Sequence, residues 1–284
     1  MFIYYKNNSS FDYKEEKSIK IKQTVVILFL ISIFLIAIPV SSAAEITTYR
    51  WGTGGDVTKN NLIKNNIPNS QITADVIEAA KNGTPIVKFG DGDGPITLIV
   101  SGVHGAELSS QVAAMRLIHN LNKLENTKSI KGTIYIIPFV APRATAANSR
   151  FFNGRNLNSI AHRVGTPTNN IVQFVKENQI VAVGDFHCTR PGGVPGRNII
   201  LGTKNPTAES ARMAKAISKL TGHPFKNVNK AGKFYPGALE DHLSLNGIPA
   251  VTCEVRTPHG KLAKGSVSAS YSQMMAFLKV NKNI

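Results

Sequence analysis

Residues 95–107 read PITLIVSGVHGAE, an apolar run rich in β-branched residues that stops at a glycine-flanked turn and gives way to a helix-like stretch over 106–121. Lacking regular polar alternation, such a run predicts a strand covered on both faces. The pattern returns at 132–138 (GTIYIIP), 180–186 (IVAVGDF), 198–202 (NIILG) and 249–255 (PAVTCEV), with helix-like stretches at 170–178, 206–220, 237–246 and 266–280. Near-continuous apolar strands alternating with helices predict a three-layer α/β/α sandwich around a central mixed, mostly parallel sheet. In such sheets functional groups collect just past the carboxyl ends of strands.

Three strands carry such groups. His104 and Glu107 follow the first run, Asp185 and His187 close the third, and Glu254 lies inside the last. His104 and Glu107 stand three residues apart on a turn that can point both side chains the same way. With one distant histidine they match the pattern by which zinc is held, through imidazole nitrogen and carboxylate oxygen at about 2.0–2.2 Å, three protein ligands and a water. His187 is the distant ligand expected, because it ends an apolar strand and follows Asp185; His119, His162, His223, His242 and His259 are set aside. Asp185 is placed to orient a ligand. Alone, HxxE is readily a chance surface pair, but the buried strand before it, the glycines at 102 and 105, and His187 give it weight. Glu254 is costly to bury unless paired or near a metal, and an ion pair with Arg256 is the competing reading.

Across its 284 residues the chain is 42% hydrophobic, 18% charged and 7% aromatic, which excludes collagen, coiled-coil and low-complexity classes. Its formal charge is +16, so an anionic polymer or lipid surface attracts it. Residues 24–40, TVVILFLISIFLIAIPV, are uncharged and follow a segment holding five lysines; Ser41, Ser42, Ala43 and Ala44 resemble a cleavage region. Residues 1–44 therefore read as a signal peptide or a retained membrane anchor, and 45–284 as a single exported domain. Without 1–44 the charge is still +14, and no run of five like charges marks a nucleic-acid tail. Nucleic acid is not an expected partner; a negatively charged envelope polymer or lipid head group is. Cys188 and Cys253 are too few for a disulfide scaffold and read as small buried thiols, with a bridge between them, which needs Cα atoms within about 7 Å, as the alternative.

The segments SGVHGAE, DFHCT and IPAVTCEV, spread over residues 95–258, resemble the zinc carboxypeptidase superfamily, in the branch containing succinylglutamate desuccinylase and aspartoacylase. The resemblance implies that His104, Glu107 and His187 bind one zinc ion and that Glu254 is general base and acid. It implies an oxyanion arginine at Arg150, with Arg155 as a rival, and a substrate-holding asparagine at Asn158. Tyr235, 19 residues before Glu254, resembles the mobile tyrosine that covers substrate, with a core or surface tyrosine as the alternative. Two positions depart from the family: Asn156 stands where aspartate is usual, and Ser159 where an arginine grips the substrate carboxylate. Arg163, Arg190 or Arg256 could substitute.

The expectation is an exported zinc-dependent amide hydrolase, a peptidase or amidase acting on a peptide attached to an anionic envelope polymer. Three competitors stand beside it: an N-acyl amino-acid deacylase, a binding protein that keeps the fold without chemistry, and a membrane-tethered interaction protein whose charge is its function.

Overall fold

The sheet grows outward from the run that begins at residue 95. In the computed structural model, which describes residues 44–90, 92–125 and 129–284, the strands are β1 (Glu45–Tyr49), β2 (Thr84–Phe89), β3 (Ile96–Ser101), β4 (Thr133–Ile137), β5 (Ala182–Thr189), β6 (Ile199–Asn205), β7 (Phe225–Lys230) and β8 (Ala250–Arg256). The helices are α1 (Asn61–Asn66), α2 (Gln71–Asn82), α3 (Leu108–Glu125), α4 (Pro142–Ala146), α5 (Pro167–Glu177), α6 (Ala208–Thr221), α7 (Leu239–Leu245) and α8 (Ser266–Val280). The apolar leader lies outside the described residues, and among those described no helix is long and apolar enough to cross a membrane.

Strand order is β1-β2-β4-β3-β5-β8-β6-β7. β3 runs parallel to β4 on one side and to β5 on the other, and β5 runs parallel to β8. The chain thus leaves β3 toward β4 and later returns on the opposite side as β5. Such a switch of direction opens a crevice at the carboxyl ends of the two strands. His104 follows β3 and His187 lies in β5, so the topology itself brings them to one crevice.

Successive residues of β3 serve opposite faces, as the period of a strand requires. Ile99 joins a core with Leu117 and Ile118 of α3 and Phe277 of α8, while Leu98 and Val100 join one with Phe174 of α5 and Leu239 of α7. Both cores are closed to solvent, which is why the strand needs no polar alternation.

Three strands are absent from the expected set. β1 (EITTY) and β7 (FKNVNK) are sheet edges whose outward residues are exposed, so their apolar content is low. β2 opens on Thr84-Pro85, and a proline near a strand start demotes the sequence signal although it fits there. The expected helix over 106–121 begins instead at Leu108, because the Glu107 N–H closes a turn on the His104 carbonyl at 3.1 Å. Cys188 and Cys253 are buried free thiols, and burial pushes Cys188 up to about 12.

Two glycines shape that turn. Gly102 has φ +76°, a left-handed conformation. At Gly105 a β-carbon would lie 2.2 Å from the Ala144 carbonyl carbon, so the turn can press against α4 only without a side chain. Gly105→Ala should therefore destabilise the protein by about 1–3 kcal/mol, as overpacking does, read from the urea midpoint at unchanged m. An unchanged midpoint would mean the contact yields at no cost.

Candidate metal centre

The turn after β3 and the end of β5 deliver three buried side chains to one point. His104 Nδ1 lies 2.7 Å from Glu107 Oε1, and His187 Nδ1 lies 2.9 Å from Glu107 Oε2. One potential ligand atom from each residue falls within 4.8 Å of the other two. The Cys188 N–H donates to Glu107 Oε2 at 2.8 Å, and the Arg150 guanidinium donates to Oε1 at 2.8 Å.

The far nitrogen of each ring is also engaged. Asn156 Oδ1 accepts the Asn158 backbone N–H at 3.1 Å and lies 2.8 Å from His104 Nε2. Since that amide oxygen is an acceptor, His104 Nε2 carries the proton and Nδ1 keeps its lone pair in the neutral ring. Asp185 Oδ2 approaches His187 Nε2 to 2.9 Å, off the line of a hydrogen bond, and by charge favours the proton on that nitrogen.

Two imidazole lone pairs and two carboxylate oxygens consequently face one another in a buried space. Such a set repels unless positive charge stands within it. The titration of the groups expresses the same demand. Burial raises the Glu107 carboxyl, but the imidazoles of His104 and His187 outweigh it and hold the carboxyl well below its ordinary range. Burial likewise disfavours a charged His187, and the carboxylates of Asp185 and Glu107 reverse this, raising it well above the usual imidazole value. A proton or a divalent cation meets the requirement. Two imidazoles and one carboxylate are the donor set of a catalytic zinc site with an open position, and the residues present fit that ion.

Glu254 stands beside this centre. It is the Cα register partner of His187 across β5 and β8, so both side chains project from the same face. Its Oε2 is shut from solvent with no hydrogen-bond partner. Burial lifts its carboxyl to about 8; His187 opposes this and Glu107, Glu240 and Asp185 add to it.

His104, Glu107, His187, Glu254, Arg150, Asn158 and Tyr235 all line one cavity of about 480 Å³. Arg155 does not. It is exposed in a tight turn whose backbone pairs with Phe152, which leaves Arg150 as the arginine at the centre. Asn158 both lines the cavity and accepts the Leu239 N–H at the start of α7 at 3.2 Å. Ser159 turns its hydroxyl to the Asn156 carbonyl, and of Arg163, Arg190 and Arg256 it is Arg190 that lines the cavity.

The geometry adds residues that sequence reasoning passed over. Asn156, noted only as a departure from the family, is the partner of the His104 ring. His259, set aside as a ligand, places Nε2 3.0 Å from the Cys188 carbonyl and 3.7 Å from Glu107 Oε1. Its position just past β8 was the available signal. Glu240 of α7 lines the cavity as a buried carboxyl and carried no signal beyond a helical face.

A carboxypeptidase-like sandwich bearing a His–Glu–His triad of the kind that holds zinc defines the class. Residues 93–256 match the succinylglutamate desuccinylase/aspartoacylase catalytic domain, and the chain belongs to that family of hydrolases. No curated protein matches. An aspartoacylase family protein from Mesorhizobium loti is similar at 20% identity and TM-score 0.55, over 71% of this chain and 62% of that one. The ectoine utilization protein of Ruegeria pomeroyi is similar at 18% identity and TM-score 0.56, over 72% of this chain and 63% of that one. This chain thus spans less than two thirds of either. Bovine thrombin-activatable fibrinolysis inhibitor shares the fold at 13% identity and TM-score 0.58, over 83% of this chain and all of that one, 100%.

Asn156→Leu removes the acceptor that selects the His104 tautomer, and should weaken zinc binding about 10–100-fold in competition with a chromogenic chelator. Asn156→Asp should restore it; equal affinity in all three proteins would free His104 from that partner. A second outcome concerns pH. A carboxyl raised on folding binds its proton more tightly in the folded state, so stability falls as pH climbs from the ordinary carboxylate range to about 8. With chelator present, Glu254→Gln should melt above the wild type at pH 8, and the gap should close near pH 4. A gap independent of pH would show that Glu254 does not titrate in that window.

Proposed function

We propose that this protein is an exported zinc-dependent amide hydrolase, a peptidase or amidase, with His104, Glu107 and His187 as ligands and Glu254 as proton carrier. The observation that carries this reading is the pairing of His187 with Glu254 across adjacent strands, which sets an unpartnered buried carboxyl oxygen beside the triad. When bound, zinc supplies Lewis-acid polarisation of a carbonyl and a lowered pKa for water.

The chain's own groups supply the rest. Glu254 Oε2 takes a proton from the attacking water and passes it to the leaving amine. Its raised affinity for a proton suits the return step, since a carboxyl that holds its proton near neutrality is an effective acid. Arg150 offers guanidinium N–H groups to the developing oxyanion, a fixed charge that needs no reorganisation. Asn158 and Arg190 hold the substrate from the cavity wall, and Tyr235 covers it. Asp185 and Asn156 keep the ligand rings in register.

Export rests on the lysine-preceded apolar stretch 24–40, whether removed as a signal peptide or kept as a membrane anchor, with 45–284 as one catalytic domain. A positive chain outside the cytoplasm favours a peptide attached to an anionic envelope polymer. The second reading is an N-acyl amino-acid deacylase, favoured by the family match. The missing arginine at Ser159 counts against a substrate whose free carboxylate sits beside the scissile bond, because forked recognition of a carboxylate is arginine chemistry.

Elemental analysis should find one zinc per chain in the wild type and in Glu254→Gln, and none in His187→Ala. Release of free amine from a cross-linked envelope peptide, and from N-acyl amino acids, should fall about 10²–10⁴-fold in Glu254→Gln. Zinc bound with no release from either substrate class by the wild type would leave a binding protein in place of an enzyme.

A further inference from the structure

Next to the cavity, and sharing part of its wall, lies a recess on the face of the sheet that α7 covers. Its walls include Leu201, Thr203, Tyr235, Glu240, Asp241 and Thr252, and it holds about 10 Å³, the room of one water-sized group. Leu201, Tyr235, Glu240 and Thr252 line both spaces. Thr252 is the register partner of Leu201 on β6 and of Asp185 on β5, and it lies two residues before Glu254 on β8. Residues two apart on a strand share a face, so Thr252 sits directly beneath the proton carrier.

Three polar atoms of the recess are unmatched. Glu240 Oε2, Thr203 Oγ1 and Thr252 Oγ1 are all closed to solvent without a hydrogen-bond partner, and Glu240 as a whole is 6% exposed. Thr252 favours the charged form of Glu240, yet the two lack the alignment of a hydrogen bond. Asp241 is already committed, accepting the Gly232 N–H at 2.8 Å. No lysine, arginine or histidine lines the recess, in a chain whose net charge is +16. Burial, then the neighbouring carboxylates of Asp185 and Asp241, push Glu240 up to about 7, with His187 opposing them.

Unmatched buried polar groups are costly, and one small cation with several N–H donors meets the Glu240 carboxylate and both threonine hydroxyl oxygens at once. A primary ammonium has three donors and the size of a water. Water fills the same space but brings no charge to Glu240.

We propose that Glu240, Thr203 and Thr252 form a subsite for a primary ammonium, which takes the end of a lysine-type side chain on the amine side of the scissile bond. The side follows from Glu254, which hands its proton to the leaving amine and projects from the same face of β8. That placement rests on the hydrolase reading above, whereas recognition of the ammonium does not.

Two measurements on the zinc-loaded protein separate the two. Calorimetry should show L-lysine binding at least about tenfold more tightly than L-norleucine, which has the same chain without the ammonium. That ratio should collapse toward one in Glu240→Gln, with circular dichroism confirming the fold, and fall part of the way in Thr203→Val, which removes one acceptor and no charge. N-acetyl-alanyl-lysine amide and N-acetyl-alanyl-norleucine amide, which have no free carboxylate beside the scissile bond, are assayed in parallel for release of the amino-acid amide. Equal binding of the two amino acids, or no binding of lysine, overturns the subsite, and a recess that holds only water gives that result. Lysine preference without release of either product keeps the subsite and removes the hydrolase; release of both at equal rates keeps the hydrolase and removes the subsite.

Discussion

The Glu107 carboxylate lies between two imidazoles, out of contact with water, and much of the surrounding structure serves to keep it there. Its Oε2 takes the Cys188 backbone N–H and its Oε1 takes Arg150. A buried carboxylate is tolerated only when it is paired and hydrogen-bonded, and this one is surrounded by groups that do both. The turn that presents it depends on Gly105 pressing against α4 without a side chain. The imidazole opposite depends on β5 lying next to β3 at the switch of strand direction. Mixed sheet, bare turn and triad are one arrangement described at three scales.

Charge is divided within the cavity. Arg150 and Arg190 line it as cations, and Glu254 and Glu240 as carboxyls. A hydrolase that neutralises an oxyanion and protonates an amine needs opposite polarities at opposite ends of one bond. Fixed dipoles and charges act strongly where burial screens them from water, as it does at Glu107 and His187.

The five apolar runs that alternate with helices carry enough signal to be read without coordinates, because a strand buried on both faces must be apolar throughout its length. β1, β2 and β7 escape that reading for the corresponding reason: an edge strand, or one opening on a proline, is stabilised by pairing with a neighbour rather than by its own composition. Arg150 and Arg155 are five residues apart and chemically alike. Which of them enters the cavity depends on a turn closed between Phe152 and Arg155, and a list of residues does not contain that closure.

By itself the sequence determined the layered α/β class and the positions of His104, Glu107, His187 and Glu254, since strand ends and short spacings are properties of local chain order. Tertiary structure alone decided that Asn156 holds the His104 ring, that His259 and Arg190 reach the cavity, and that Glu240 meets Thr203 and Thr252 in a recess without a cationic side chain. Those residues come from separate elements, and their chemistry exists only because packing excludes water from the place where they meet.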